Sequence, residues 1–186
     1  MIPINAALTL TVIERFASVD AGGLPVTQEN RVSKIVEVRV HDSKAEIGVL
    51  AVEFLRDFSN SSLTDTAIIL RNFTDDLPAC AAAKNAESNE IVSNRQNYVI
   101  TSSTIGTPEV TFNFQGTCPV HTVYGDGCAF VPVDWRSTRL ATGLPEHVRG
   151  TAQLSAVYLP AQGRWRLCGS DFDGVTLPSG APGFIR

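Results

Sequence analysis

Residues 46–55 read EIGVLAVEFL. Apolar side chains occupy both odd and even positions for part of this stretch, the pattern of a strand covered on both faces. Read that way it predicts a central strand, and its neighbours extend the reading. Upstream, VSKIVEVRV places Val32, Val36, Val38 and Val40 on one face. Downstream, TAIILRNF (66–73), NYVITSS, EVTFNFQ, AFVPV, TAQLSAVYL and RWRLC are rich in β-branched and aromatic residues. Turn signals separate them at Gly106-Thr107-Pro108, Gly125-Asp126-Gly127 and Gly163. The expected fold is all-β: antiparallel sheets in a β-sandwich or jelly roll, with one short helix. That helix is DDLPACAAAKNAESNE (Asp75–Glu90), with Asp76 as its cap and an alanine run to favour it.

The chain has 186 residues, 44% hydrophobic and 18% charged, enough to bury a core and too apolar for disorder. A net charge of −4 without clustered Lys or Arg excludes nucleic acid as the expected partner. No apolar run approaches the roughly 18–20 residues of a membrane span. The N-terminus lacks a basic start, and its apolar residues alternate, so it does not read as a signal peptide. The expectation is a chain either cytosolic or already processed.

Four cysteines make an even set with three possible pairings. Two disulfides and an oxidising, extracellular or cell-surface location are the expectation. Cys118 and Cys128 flank a short loop, CPVHTVYGDGC, and Cys80 would then meet Cys168. A zinc reading of Cys118, His121 and Cys128 lacks the paired close spacings of small zinc modules. Asn60 and Asn72 head two glycosylation sequons.

No motif of nucleophilic, phosphate-binding or metallohydrolase chemistry is present. His41, His121 and His147 lie far apart in the sequence, and the chain is expected not to be an enzyme, with no cofactor. Asp171 and Asp173, two apart before a glycine in GSDFDG, could turn two carboxylates toward Ca2+, although the closing ligand of a calcium loop is missing. Trp135 and Trp165, with Tyr98, Tyr124 and Tyr158, could form a sugar-stacking platform.

The opening MIPINAALTLTV is the longest clean alternation in the chain. Ile2, Ile4, Ala6, Leu8, Leu10 and Val12 share one parity. Twelve residues would extend about 40 Å, against a usual strand of five or six. SVDAGGLPVTQEN, Ser18–Asn30, follows as a glycine-bearing stretch of little apolar period and reads as a linker. The division expected is an arm at 1–16, a linker at 17–30 and a β-sandwich body at 31–186.

An alternating N-terminal extension before a disulfide-bearing β-sandwich resembles the subunits of donor-strand-exchanged pili and related extracellular fibres. The resemblance implies that Ile2, Ile4, Ala6, Leu8, Leu10 and Val12 insert into the next subunit, giving a homo-oligomeric filament. The chain departs from the chaperone–usher type at its C-terminus, where SGAPGFIR replaces an alternating strand. The alternatives are a secreted carbohydrate- or calcium-binding module and a viral capsid or decoration protein.

Overall fold

The computed structural model describes residues 4–40, 42–113, 126–172 and 175–176, with side chains described for 9–35, 42–112 and 127–172. The chain divides into two compact units, 1–42 and 43–186.

The first unit is a hairpin. Strand β1 (Ile4–Val19) pairs antiparallel with β2 (Pro25–Val40), in register from Ile4 opposite Val40 to Val19 opposite Pro25. Asp20 closes the turn: its Oδ1 accepts the N–H groups of Gly22 and Leu24, each at 2.9 Å. Gly23 takes a φ of +79°, which a side chain would oppose. Thr11 meets Ser33 at 2.8 Å, and Arg15 donates to Glu29 at 2.7 Å. The segment expected as a linker, 17–30, is thus the end of one strand, a tight turn and the start of the next. Asp and Gly supply the turn, while the alternation of both flanks fixes the register.

The second unit packs helices on one sheet. Helices α1 (Ser43–Ser59), α2 (Thr66–Ile69) and α3 (Pro78–Asn97) precede strands β3 (Tyr98–Ile105), β4 (Glu109–Asn113), β5 (Asp126–Arg139), β6 (Pro145–Leu159), β7 (Arg164–Asp171) and β8 (Val175–Thr176). The sheet runs β3-β5-β6-β7; β4 continues along β5 beyond β3, and β8 pairs with β6. All these strand pairs are antiparallel. Register shifts at Ile100/Ser102 and Ser155/Ala156 mark irregularities of the kind that bend a sheet. The free edge of β7 is covered by residues 72–74: Leu167 donates to the Asn72 carbonyl and Thr74 to that of Leu167, each at 2.9 Å.

The structure bears out a mostly β chain with antiparallel sheets, and corrects the expectation of a single short helix. EIGVLAVEFL lies inside α1. A short run apolar on both parities satisfies a helix as well as a strand. Here Ile47, Ala51, Phe54, Leu55 and Phe58, at helical spacing, form the buried stripe. TAIILRNF likewise begins as α2, whose first turn is capped by Asp65 Oδ1 accepting from the Ala67 N–H at 2.9 Å. The second helix of the core, α3, starts later than expected and runs further. Pro78 occupies its first turn, where a missing N–H costs nothing. Asp76 does not cap it; its carboxylate accepts from Gln162 Nε2 at 2.6 Å instead.

The core therefore lies between helices and sheet. Phe58 of α1 meets Trp135 of β5 and Phe172 with ring centroids at 5.3 and 5.8 Å, and Trp135 meets Phe172 at 5.7 Å. Gly127 lets α1 approach β5, since a Cβ there would fall 2.5 Å from Ile47 Cδ1. Cys80 on α3 is bonded to Cys168 on β7, 88 residues apart. Cys128 is also disulfide-bonded, and Cys118, its expected partner, lies outside the described residues.

Two stability outcomes follow from this packing. Phe58→Ala should destabilise the second unit by about 3–5 kcal/mol, read from denaturant midpoints. Cys80→Ala with Cys168→Ala should remove up to about 4–5 kcal/mol, given the length of the loop it closes. A loss below about 1 kcal/mol in either case would contradict the assigned packing.

Candidate functional site

Helix α3 turns a mixed stripe onto the sheet: Cys80, Glu87, Ile91 and Asn94 are its buried residues. Two of these are polar, and a glutamate is seldom fully buried unless it is paired. Glu87 is 5% exposed. Its Oε1 accepts the Ser170 N–H at 3.2 Å and the Ser170 hydroxyl, both near the end of β7. Its Oε2 is buried with no hydrogen-bond partner among the described residues. Burial pushes the carboxyl up to about 7; the Ser170 bonds oppose this, and the nearby Glu90 and Asp171 add to it.

The second polar position, Asn94, is fully buried. Its Oδ1 accepts from Arg95 Nη1 at 3.0 Å, while its Nδ2 has no described partner. Arg95 also donates to the carbonyls of Phe58, Asn60 and Leu63, closing the C-terminal end of α1, and its guanidinium lies 5.5 Å from the Phe58 ring centre. Beyond Asn94 the sheet supplies further polar groups. Alternation along β5 puts Ala129, Val131, Val133, Trp135 and Ser137 on the buried face. Ser137 stands opposite Ile100 on β3 and Glu146 on β6; Arg139 stands opposite Tyr98. Arg139 holds Glu146 Oε1 through Nε at 2.7 Å and Nη2 at 2.6 Å. Glu146 Oε2, Ser137 Oγ and Trp135 Nε1 are buried without described partners. Burial raises the Tyr98 hydroxyl above the ordinary phenol range; Glu146 adds to this and Arg139 opposes it.

Glu87 and Asn94 are seven residues apart, roughly 10 Å along the helix axis, with Ile91 between them. The face of α3 toward the sheet thus carries the disulfide-bonded Cys80 in its first turn, Glu87 at mid-helix and Asn94 in its last turn, with Ile91 between the two polar residues. A separate surface cavity of about 510 Å³ runs along α1 and is lined by Lys44, Ala45, Gly48, Val49, Val52, Glu53, Arg56 and Pro108.

The residues singled out in the sequence fare differently. Ile4, Ala6, Leu8, Leu10 and Val12 stand opposite Val40, Val38, Val36, Lys34 and Val32 of the same chain, and Ile2 lies outside the described residues. Asp171 ends β7 opposite Gln153, and Asp173 lies outside. No group of three His, Cys, Asp or Glu that could hold a metal occurs among the described residues. Asn60 folds its side chain back onto Ser62; Asn72 is buried and donates to Glu53 at 2.9 Å. Trp135 and Trp165 are 1% and 9% exposed, so neither offers an open ring face to a sugar. His147 sits 2.7 Å from Asp134 on the exposed face, while His41, His121 and Tyr124 lie outside. Glu87 is inconspicuous in the sequence because it sits in an alanine-rich polar stretch. Its one signal was its place in the spacing Cys80, Glu87, Ile91, Asn94.

No family model matches the chain, and no curated protein matches it. Among solved structures, the chain is similar to the ketosteroid isomerase-like protein from Erwinia carotovora atroseptica SCRI1043. The TM-score is 0.50 at 16% identity, covering 70% of this chain and 95% of that one. This likeness is one of fold. It overturns the resemblance to donor-strand-exchanged fibre subunits and the filament function drawn from it. The physical reasons agree with it. Among the described residues, the inner face of the sheet is covered by α1 and α3 of its own chain, and β1 pairs with β2. The carbohydrate, calcium and capsid alternatives gain no support from this fold. No described helix is long and apolar enough to cross a membrane.

The raised Glu87 fixes a pH response. The folded chain holds this proton up to about 7, whereas the unfolded chain releases it near 4.5. Its contribution is complete below 4.5 and is lost as pH rises through about 7. Stability should fall over that window by up to about 3 kcal/mol. Glu87→Gln stays neutral throughout, so the difference between the two proteins' urea midpoints should change between pH 5 and pH 8. A pH-independent difference would refute the assignment.

Proposed function

We propose that residues 43–186 bind a small, largely apolar molecule bearing a carbonyl or hydroxyl group, and that Glu87 exchanges a proton with it. The observation that carries this reading is the Glu87 carboxyl: buried, anchored through one oxygen to Ser170, with the other oxygen unpartnered. A carboxyl poised near neutrality serves as either acid or base, which is what general acid–base chemistry requires. The unpartnered atoms of Asn94, Trp135, Ser137 and Glu146 support the reading further. Buried polar groups left unpaired cost about 1–3 kcal/mol each, a cost that ligand contacts would offset. The solved structure of similar fold is described as ketosteroid isomerase-like, which favours a ligand-binding or enzymatic role over a purely structural one. The Cys80–Cys168 disulfide favours an oxidising compartment, extracellular or at the cell surface.

The test uses the two buried tryptophans, Trp135 and Trp165, as reporters. Tryptophan fluorescence is followed while a panel of ring-containing carbonyl compounds, a ketosteroid among them, is added at pH 6 and pH 8. Saturable quenching is expected, with a pH midpoint near that of Glu87 and loss of the pH dependence in Glu87→Gln. Quenching that ignores both pH and the substitution would reject Glu87 as the proton-exchanging group. Absence of any saturable response across the panel would reject the binding reading.

A further inference from the structure

Helix α1 has a second face with a chemistry of its own. Lys44, Gly48, Val52 and Arg56 follow one another at four-residue spacing, so they form a single row along the helix. Ala45, Val49 and Glu53 form the adjacent row, and Pro108, in the turn between β3 and β4, forms the opposite wall. The floor between the ends is apolar. Val49 is 56% exposed, and Gly48 faces the Pro108 ring, where a Cβ would sit in ordinary contact at 3.6 Å. The ends are cationic. Lys44 and Arg56 make no ion pair among the described residues, whereas Glu53 accepts from Asn72 and lies 3.8 Å from Arg71, which also pairs with Asp57. The negative charge in the groove is thus engaged, and the positive charge at its two ends is not. The ends are twelve residues apart, about 18 Å along the axis.

The geometry points to a binding groove for a free anionic amphiphile: an aliphatic chain lying on Gly48, Val49, Val52 and Pro108, with its carboxylate held by Lys44 or Arg56. Charge complementarity selects the anion. The apolar floor selects the chain, and the volume of about 510 Å³ falls within the range of small-molecule sites. The site is independent of the Glu87 reading, since its lining comes from α1 and Pro108 and includes no residue of α3 or β7; it flanks the buried stripe of α1 and meets it at Gly48.

The experiment titrates the full chain with decanoate, decanol and decyltrimethylammonium below their aggregation concentrations, following amide shifts by NMR. Decanoate should saturate and shift residues 44–56 and 108. Decanol should bind several-fold more weakly, and the cation should fail to bind. Lys44→Gln with Arg56→Gln should weaken decanoate about tenfold and erase its advantage over decanol, because exposed charge contacts are individually modest. Val49→Glu, an exposed change that leaves the buried stripe intact, should abolish binding. Glu87→Gln should leave decanoate affinity unchanged, separating this site from the interior one. The proposal is overturned by equal affinity for decanol, by unchanged affinity in the double variant, or by shifts confined to other elements. It is overturned equally by binding only to anionic vesicles or by no binding at all.

Discussion

The second unit depends on one constraint: the apolar stripe of α1 must leave water, and the inner face of the sheet is what receives it. Ile47, Ala51, Phe54, Leu55 and Phe58 are all fully buried. At about 1.5–3 kcal/mol for each large side chain, this stripe outweighs any single polar contact in the unit. Gly127 permits the approach at one end, and the Phe58–Trp135–Phe172 ring cluster completes it at the other. With α1 seated, α3 is left to cover the sheet beside it, and its buried stripe is where polar residues enter the interior.

Much of the sheet was legible in the sequence. From Tyr98 onward the alternation of β-branched and aromatic residues located the strands, because a half-buried sheet imposes a period of two. Cys80 and Cys168 were paired as expected. The helices were harder to read. EIGVLAVEFL is too short and too uniformly apolar for periodicity to separate strand from helix; the stripe becomes clear only when Phe58, three residues past its end, is included. The opening alternation was correctly seen as a strand, but its pairing partner was not. Register is a relation between two segments, and nothing within residues 2–12 alone points to the matching alternation of Val32, Val36, Val38 and Val40.

The candidate site was the least legible part. A glutamate at position 87 has no local feature that distinguishes it from Glu90, three residues later. What distinguishes it is burial, because Glu87 falls on the face of α3 that meets β7. Ser170, which holds it, is 83 residues away. The cations of the α1 groove were equally hidden: a Lys and an Arg twelve residues apart acquire a shared role only once the intervening chain is helical and Pro108 walls the groove.

The seam between α3 and β7 also bears on how the chain reaches this structure. Its links join residues separated by 88 positions at the disulfide and 83 at Glu87 and Ser170. Nearly the whole sheet lies between them in sequence, and closing so long a loop costs entropy before any contact repays it. The β5–β6 hairpin, by contrast, brings Thr138 opposite Pro145 across a short turn. Loop-closure entropy therefore favours the hairpin before the α3–β7 seam. The buried carboxyl comes into being with the final closure, so its titration would report completed folding rather than collapse.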